Sequence, residues 1–316
     1  MTRTLAVDIG GTKIAAAVVA DDATGPEVEH LRTAPTPAGE GAEAVVRTVL
    51  ELARTVLAAA GAPAVRVGVS SAGTIDPATG RVTHATDTLR GWAGMPLADR
   101  LAEGLGAPVA VLNDVHAHGL GEALLGEARG APSALVVAVG TGIGGCHVLE
   151  GRPVLGAHGV AGHVGHVPVP EADGLVCSCG RSGHLEAIAS GYGVEAEFAR
   201  STGRRLSGRE IAALAAEGPT STQDGDLVAI AGEVLTLAGR ATGRVVGGLL
   251  NVLDPDVVVV GGGLSAAGAP WRTALLAGVA EQAMDPAQGT PVRFSDLGVS
   301  AALHGAAAHA RSHLLP

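Results

Sequence analysis

The sequence predicts an α/β protein built as two similar halves with a cleft between them. Three observations lead there. At 316 residues the chain exceeds what one hydrophobic core usually organises. An apolar strand, a glycine turn and a second β-rich run occur in "TLAVDIGGTKIAAAVVA", and again about 130 residues later in "SALVVAVGTGIGGCHVLEGRPV". In each half strands come before helices, the order expected of layered α/β domains.

The first of these units reads as a hairpin, because no helical stop signal separates its two apolar runs, and Asp8 falls at its turn. "GAEAVVRTVLELARTVLAAAG" places apolar residues at helical spacing and closes on Gly61. "VRVGVSSAG" is a buried strand, and "PLADRLAEGLG" is a short helix opened by proline and closed by glycine. "PVAVLND" is another strand, running into a helix in "VHAHGLGEALLG". After the second hairpin come an insert rich in histidine and cysteine, helices from about 187 to 250, the strand "DVVVVGGG" and a helical close in "VSAALHGAAAHARSHLL". The expected division is a smaller domain of residues 1–116 plus 302–316, with the last helix packing back, and a larger domain of residues 117–301 that carries the insert.

Composition narrows the function. Aromatic residues are only 2%, so the core must be built from Val, Leu, Ile and Ala. A net charge of −10 without any Lys/Arg-rich run argues against a nucleic-acid partner. Lys13 is the only lysine among the 21 basic residues, so it is the one side-chain ammonium the chain can use. The apolar runs fall far short of the roughly 18 residues that span a membrane. The N-terminus enters a strand directly, leaving no room for a signal peptide. Three cysteines, two of them in C-x-C, do not make a disulfide framework. A soluble, cytoplasmic protein is expected.

Neither glycine turn fits the common nucleotide fingerprints. "DIGGTK" lacks the spacing of a P-loop, and "GTGIGG" is followed by a strand where a dinucleotide fold needs a helix. Both offer amides that can approach an anion, since glycine has no Cβ in the way. Asp8 beside the first turn suits Mg²⁺, directly or through water, and Lys13 can reach toward phosphate. Taken singly, each reads first as an ordinary tight turn; the pair together with "VVVVGGGLS" favours the anion reading.

Asn113 and Asp114 end a buried strand. There Asp114 can accept a proton from an attacking hydroxyl while Asn113 bonds a neighbouring hydroxyl. An Asx helix cap explains the same pair equally well. The insert "GHVGHVPVPEADGLVCSCGRSGHLE" supplies C-x-C-x4-H and an upstream histidine, four N/S ligands of the kind Zn²⁺ takes. A closed set of four is structural. Its consequence is indirect: a histidine bound through one ring nitrogen can aim the other at a substrate, with His163 and Glu186 nearby. The alternative is a polar loop of unliganded histidines.

Together "DIGGTK", "LNDVHAHGLGE", "GTGIGG", "GVAGHVGHVPV", "CSCGRSGHLE" and "PDVVVVGGGLS" resemble the ROK family (repressor, open reading frame, kinase) in order and approximate spacing, over residues 4 to 313. The resemblance implies an actin-like ATPase (hexokinase/actin type) fold, two RNase-H-like domains with an interdomain cleft closing on ATP and sugar. It implies Asp114 as the general base toward the sugar 6-hydroxyl and Asn113 as a sugar ligand, with Gly73 on the sugar side. It assigns Asp8, Gly10, Gly11, Thr12 and Lys13 to the first phosphate hairpin with Mg²⁺, and Gly140, Thr141, Gly142 and Gly144 to the second. Gly261, Gly262 and Gly263 fall on the adenosine side. His166 is shared by zinc and sugar, Cys177, Cys179 and His184 complete the metal set, and Glu186 is a sugar-binding carboxylate. Family members are often dimers, so a homodimer is expected.

The chain departs from the family pattern at three places. His184 stands where a third zinc cysteine is usual, and a Cys₂His₂ set still satisfies zinc. The usual E-x-G-H reads H-x-G-H, with His163 in place of glutamate. A carboxylate only accepts hydrogen bonds, whereas a neutral imidazole donates one and accepts one. A similar H-x-G-H occurs in bacterial N-acetylmannosamine kinases of the family. Finally, "NLxGW" reads "TLRGW" at Thr88 to Trp92. The resulting expectation is an ATP-dependent sugar 6-kinase acting on N-acetylmannosamine, with glucose or N-acetylglucosamine as the alternative. The family's repressors carry a helix-turn-helix ahead of the kinase-like part, which is not expected with "DIGGTK" starting at Asp8. A dead sugar-binding module would lack Asp114 or a hairpin, and both are here.

Overall fold

Branched apolar residues alternating with small ones give the N-terminal strands two usable faces, and helices cover both. The computed structural model describes residues 2–22, 25–63, 65–86, 89–217, 225–298 and 300–314. In chain order they form β1 (Thr2–Ile9), β2 (Lys13–Asp22), β3 (Gly25–Pro35), α1 (Ala42–Ala60), β4 (Val67–Ser71), β5 (Thr74–Ile75), β6 (Val82–His84), α2 (Leu97–Leu105), β7 (Val109–Asn113) and α3 (Asp114–Leu125). There follow β8 (Ser133–Val139), β9 (Ile143–Leu149), β10 (Arg152–Pro153), α4 (Glu186–Ala189), α5 (Gly191–Thr202), α6 (Gly208–Ala216), α7 (Gly225–Leu253), β11 (Val257–Gly261), α8 (Ala269–Gln282), β12 (Val292–Phe294) and α9 (Ser300–His313).

Two compact units result. One comprises Met1–Gly130, Val148–Gly162 and Leu297–Pro316, the other Ala131–His147 and His163–Asp296. The boundary expected after residue 116 would cut α3, which instead stays whole in the first unit. The reason is its seam with α9. A Cβ on Gly121 would lie 2.0 Å from the Ala301 carbonyl oxygen, and one on Gly305 would lie 1.8 Å from that of Ala117. The two helices touch backbone to backbone, so neither can belong to another body.

In the first unit the sheet order is β3-β2-β1-β4-β7. β1 pairs antiparallel with β2 and parallel with β4, which pairs parallel with β7. Leu5, Val7 and Ile9 of β1 pack with Val45, Val46 and Val49 of α1 and Leu101 of α2. Ala6, Ala17 and Val19 pack with Leu303 and Ala307 of α9. Period-2 alternation therefore puts Asp8 on the α9 face of β1. Gly61 and Gly106 close α1 and α2 in the left-handed conformation, as the sequence predicts for Gly61.

The second unit's strands are ordered β9-β8-β11-β12, with β8, β11 and β12 parallel. Phe198, Ile211, Leu235, Trp271 and Leu275 bring α5 to α8 into one core with Val137 and Val260. Gly239, Gly243 and Gly247, four residues apart on α7, face α8. Their Cβ atoms would lie 2.3, 2.0 and 2.5 Å from the carbonyl oxygens of Trp271, Leu275 and Val279.

Sequence patterns do not reveal β3, β5, β6, β12 or α8. β3, "GPEVEHLRTAP", is an exposed, charge-rich edge strand, a composition that protects edges and hides them from hydrophobic pattern reading. α8 opens with Ala-Pro-Trp and spreads its apolar residues around the helix, leaving no single stripe to detect.

Candidate functional site

In the first unit the β1–β2 turn is closed by the Gly10 N–H donating to the Lys13 carbonyl at 3.0 Å. Thr36 braces it from the end of β3: its hydroxyl donates to the Gly10 carbonyl at 2.7 Å and its N–H to that of Thr12 at 3.0 Å. Thr12 and Lys13 are exposed, so this turn, with Gly11, is open to a ligand. Parallel pairing sets Asp8 opposite Ser70, whose hydroxyl donates to Asp8 Oδ1 at 2.6 Å. Burial raises the Asp8 pKa, opposed by the Ser70 hydrogen bond and the Lys13 charge.

β7 delivers Asn113 and Asp114 at the start of α3. Asn113 Oδ1 accepts from the N–H groups of Val115 and His116 at 3.0 and 3.4 Å. Its Nδ2 donates to the Gly73 carbonyl and to Asp114 Oδ1, both at 2.9 Å. The Asx-cap alternative is thus realised, and all four hydrogen-bonding positions of the amide are used within the protein. Gly73 has φ +95 and a Cβ there would lie 2.7 Å from the His84 carbonyl oxygen, so only glycine fits. Asp114 Oδ1 also accepts the Val115 N–H at 2.9 Å. Burial first, and then the charge of Asp8, push the Asp114 pKa up to about 7. Near neutral pH such a carboxylate is poised to take a proton. Two residues on, His116 Nε2 bonds the Ala161 carbonyl at 2.7 Å.

In the second unit the Gly140 N–H donates to the Gly142 carbonyl at 2.9 Å, and the Gly191 N–H donates to the Gly140 carbonyl at 2.7 Å. Thr141 and Gly142 are exposed, and Gly144 is the second residue of β9. β11 runs parallel to β8 with Gly261 opposite Ala138. Gly262 follows at φ +89, its absent Cβ 2.4 Å from the Val139 carbonyl oxygen, and Gly263 opens a 3₁₀ turn. Two glycine turns therefore lie side by side at the ends of neighbouring strands.

The insert gathers one donor each from His166, Cys177, Cys179 and His184 within 4.8 Å of one another. Cys177 Sγ is 3.5 Å from His166 Nδ1, and Cys179 Sγ is 3.3 Å from His184 Nδ1. Tetrahedral zinc with Zn–S of about 2.3 Å and Zn–N of about 2.0–2.1 Å puts S and N about 3.5 Å apart, so the donors fit that ion. Burial pushes the Cys177 thiol up to about 11, a cost a bound cation offsets. All three cysteines are free thiols. His163 lies with its ring centroid 6.0 Å from that of His166. Glu186 opens α4 and spends its carboxylate on the protein, accepting from the Ile143 N–H and the Ser178 hydroxyl.

The residues singled out from the sequence thus form two groups. Asp8, the first turn, Gly73, Asn113 and Asp114 gather in the first unit; the second turn, Gly261–Gly263 and the metal set gather in the second. Thr88 lies outside the described residues. Sequence reasoning misses Thr36, Ser70 and Ser178. Of these only Ser70 leaves a trace, as a polar residue at the end of a buried strand.

A family model described as ROK family matches residues 4–313. A glucokinase of Thermotoga maritima is 32% identical over 274 residues, covering 84% of this chain and 83% of that protein. An N-acetylmannosamine kinase of Escherichia coli is 33% identical over 266 residues, covering 84% of each. The crystal structure of a ROK hexokinase from Thermus thermophilus matches with a TM-score of 0.82 at 32% identity, over 98% of both chains.

Proposed function

The chain belongs to the ROK family, with its actin-like ATPase fold, and is a sugar kinase; we propose that it transfers the γ-phosphoryl group of ATP to the 6-hydroxyl of N-acetylmannosamine. In this reading Asp114 takes the proton of the 6-hydroxyl as its oxygen attacks the γ-phosphorus. The new O–P bond forms, the bond from that phosphorus to the β–γ bridging oxygen breaks, and ADP leaves. Support comes from the pKa of about 7, which places the Asp114 carboxylate near the working pH.

The amides of Gly10, Gly11 and Thr12, aided by Lys13, and those of Gly140, Thr141, Gly142 and Gly144 serve phosphate oxygens, and Gly261–Gly263 the adenosine. Asp8 is the carboxylate suited to Mg²⁺, which when bound neutralises phosphate charge. Its Oδ1 is held by Ser70, and its charge helps raise the Asp114 pKa, a repulsion that a bound divalent cation would relieve. Asn113, Gly73, His163 and His166 serve the sugar, and Glu186 does so with the carboxylate lone pairs that Ile143 and Ser178 leave over. For Asn113 this means a sugar hydroxyl replacing one of the two acceptors of Nδ2. Zinc on His166, Cys177, Cys179 and His184 is structural and fixes the His166 ring through Nδ1.

The choice of sugar rests on one observation: His163, a ring that donates and accepts, stands beside His166 where the family's usual glutamate only accepts. Glucose is the second reading, favoured by relatives named glucokinase at nearly the same identity. Coupled ADP release with N-acetylmannosamine, N-acetylglucosamine, glucose, mannose and fructose separates them. N-acetylmannosamine giving the highest kcat/KM by a wide margin supports the proposal; glucose winning overturns it. A cytoplasmic homodimer completes the reading, tested by sedimentation equilibrium. Among the described residues no helix is long and apolar enough to cross a membrane.

A further inference from the structure

Ile143, the residue after the second glycine turn, is engaged by the histidine–cysteine insert through both of its main-chain groups. Its N–H donates to Glu186 Oε2 at 2.9 Å. Its carbonyl oxygen abuts Gly165, between His163 and His166, where a Cβ would lie only 2.3 Å away. Glu186 also closes on the turn itself, since a Cβ on Gly142 would be 2.8 Å from Oε2. The other carboxylate oxygen, Oε1, accepts the Ser178 hydroxyl at 2.5 Å. Ser178 lies between Cys177 and Cys179, within a turn closed by the Cys177 N–H on the Arg181 carbonyl at 2.7 Å and the Gly180 N–H on the Cys177 carbonyl at 2.9 Å. One carboxylate therefore joins the phosphate-type turn to the metal-type turn.

We infer that Ser178 and Glu186 are positioning residues through which the metal set His166, Cys177, Cys179 and His184 fixes the second glycine hairpin, so that metal occupancy governs affinity for nucleotide phosphates as well as for sugar. Ser178 offers its hydroxyl from between two metal ligands, so when both cysteines are bound its backbone is held in one arrangement. Its hydrogen bond then holds Glu186, and Glu186 holds the Ile143 amide. A hairpin held in its binding conformation before the ligand arrives loses less entropy on binding, and affinity rises by that difference. Gly165 adds a second point of contact from the histidine side. Neither Ser178 nor Glu186 belongs to the metal set, and the Cys177 thiol also reaches Glu186 Oε1 at 3.7 Å, a direct link between a metal ligand and the carboxylate. The nucleotide arm rests on the kinase reading and the metal arm on the zinc reading, while the state of the hairpin amide rests on neither.

The test compares wild type, Ser178→Ala and Glu186→Gln at measured zinc content. Amide hydrogen exchange over residues 141–145 and calorimetric titration with a non-hydrolysable ATP analogue plus Mg²⁺ give the two readouts. Ser178→Ala is expected to keep its zinc, exchange about threefold to tenfold faster at Ile143 and bind the analogue more weakly by a similar factor. Glu186→Gln should lose about tenfold or more on both readouts, because a charge-assisted bond is removed. Chelating zinc from wild type should reproduce the Ser178→Ala change and add little to Glu186→Gln. Unchanged exchange in zinc-loaded Ser178→Ala overturns the proposal, as does chelation that loosens the hairpin equally in wild type and Glu186→Gln. A wild type that holds no zinc overturns the metal arm. Failure of wild type to bind the analogue defeats the kinase reading, and the exchange comparison still decides the relay.

Discussion

The two glycine hairpins share a turn and differ in company. The first stands among charges: Asp8 precedes it, Lys13 follows it, and Asp8 helps push Asp114 up to about 7. The second has no ionisable residue from Gly140 to Gly144 and is held by the Gly191 amide and the Glu186 carboxylate. Cradling an anion needs only amides, which cost little to keep ready. Holding a cation and moving a proton need carboxylates, and packing two of them together is expensive. The costly groups are therefore concentrated in one unit, and the second hairpin is left as a holder.

Asp114→Asn should break the comparison most completely. Removing the base should lower kcat by about 10²–10⁴ with the circular dichroism unchanged; near-normal turnover would remove Asp114 from that role. The same variant reports the cost of the site. A carboxyl raised from 3.8 to about 7 is protonated in both states below about pH 4, and its folded form keeps a proton the unfolded form has lost between those values. Stability therefore falls as pH rises through that window, and the penalty is full above it. In Mg²⁺-free protein Asp114→Asn should melt several degrees higher than wild type near pH 8 and no higher near pH 4.

Asp8→Asn takes away the charge that helps raise Asp114, so the acidic limb of the kcat/KM profile should move to lower pH while turnover falls. A limb that stays in place would uncouple the two carboxylates. Cys177→Ser addresses the second unit: zinc content should drop, and the sugar KM should rise by about 10–100-fold. Retained zinc with unchanged kinetics would remove the metal from the account. Thr36→Val is the mildest change, deleting only the brace on Gly10, and should raise the ATP KM by about twofold to tenfold. An unchanged KM would mean the first hairpin holds its shape unaided.

Both hairpins, the strand ending at Asn113 and the Cys/His set are legible in the sequence because glycine, Asn-Asp and C-x-C are local signals. Partners set by tertiary pairing are not. Thr36 meets Gly10 across 26 residues and Ser70 meets Asp8 across 62, through strand registers that no local pattern fixes. Asn113 shows the opposite limit: the local pattern admits both of its readings, and the tertiary hydrogen bonds decide that the cap uses the whole side chain. Likewise a division after residue 116 cuts α3, because the seam that ties it to α9 is made by two glycines, which add nothing to a hydrophobic pattern.

The stripe Gly239, Gly243 and Gly247 has a consequence for how this chain can vary. Every replacement at these positions adds atoms, and with carbonyl oxygens 2.0–2.5 Å from the missing Cβ, even a methyl group must displace a helix. Inheritance therefore has no small steps to take along this seam. Variation that retunes the enzyme has to enter at positions other than these three for as long as α7 and α8 keep this packing.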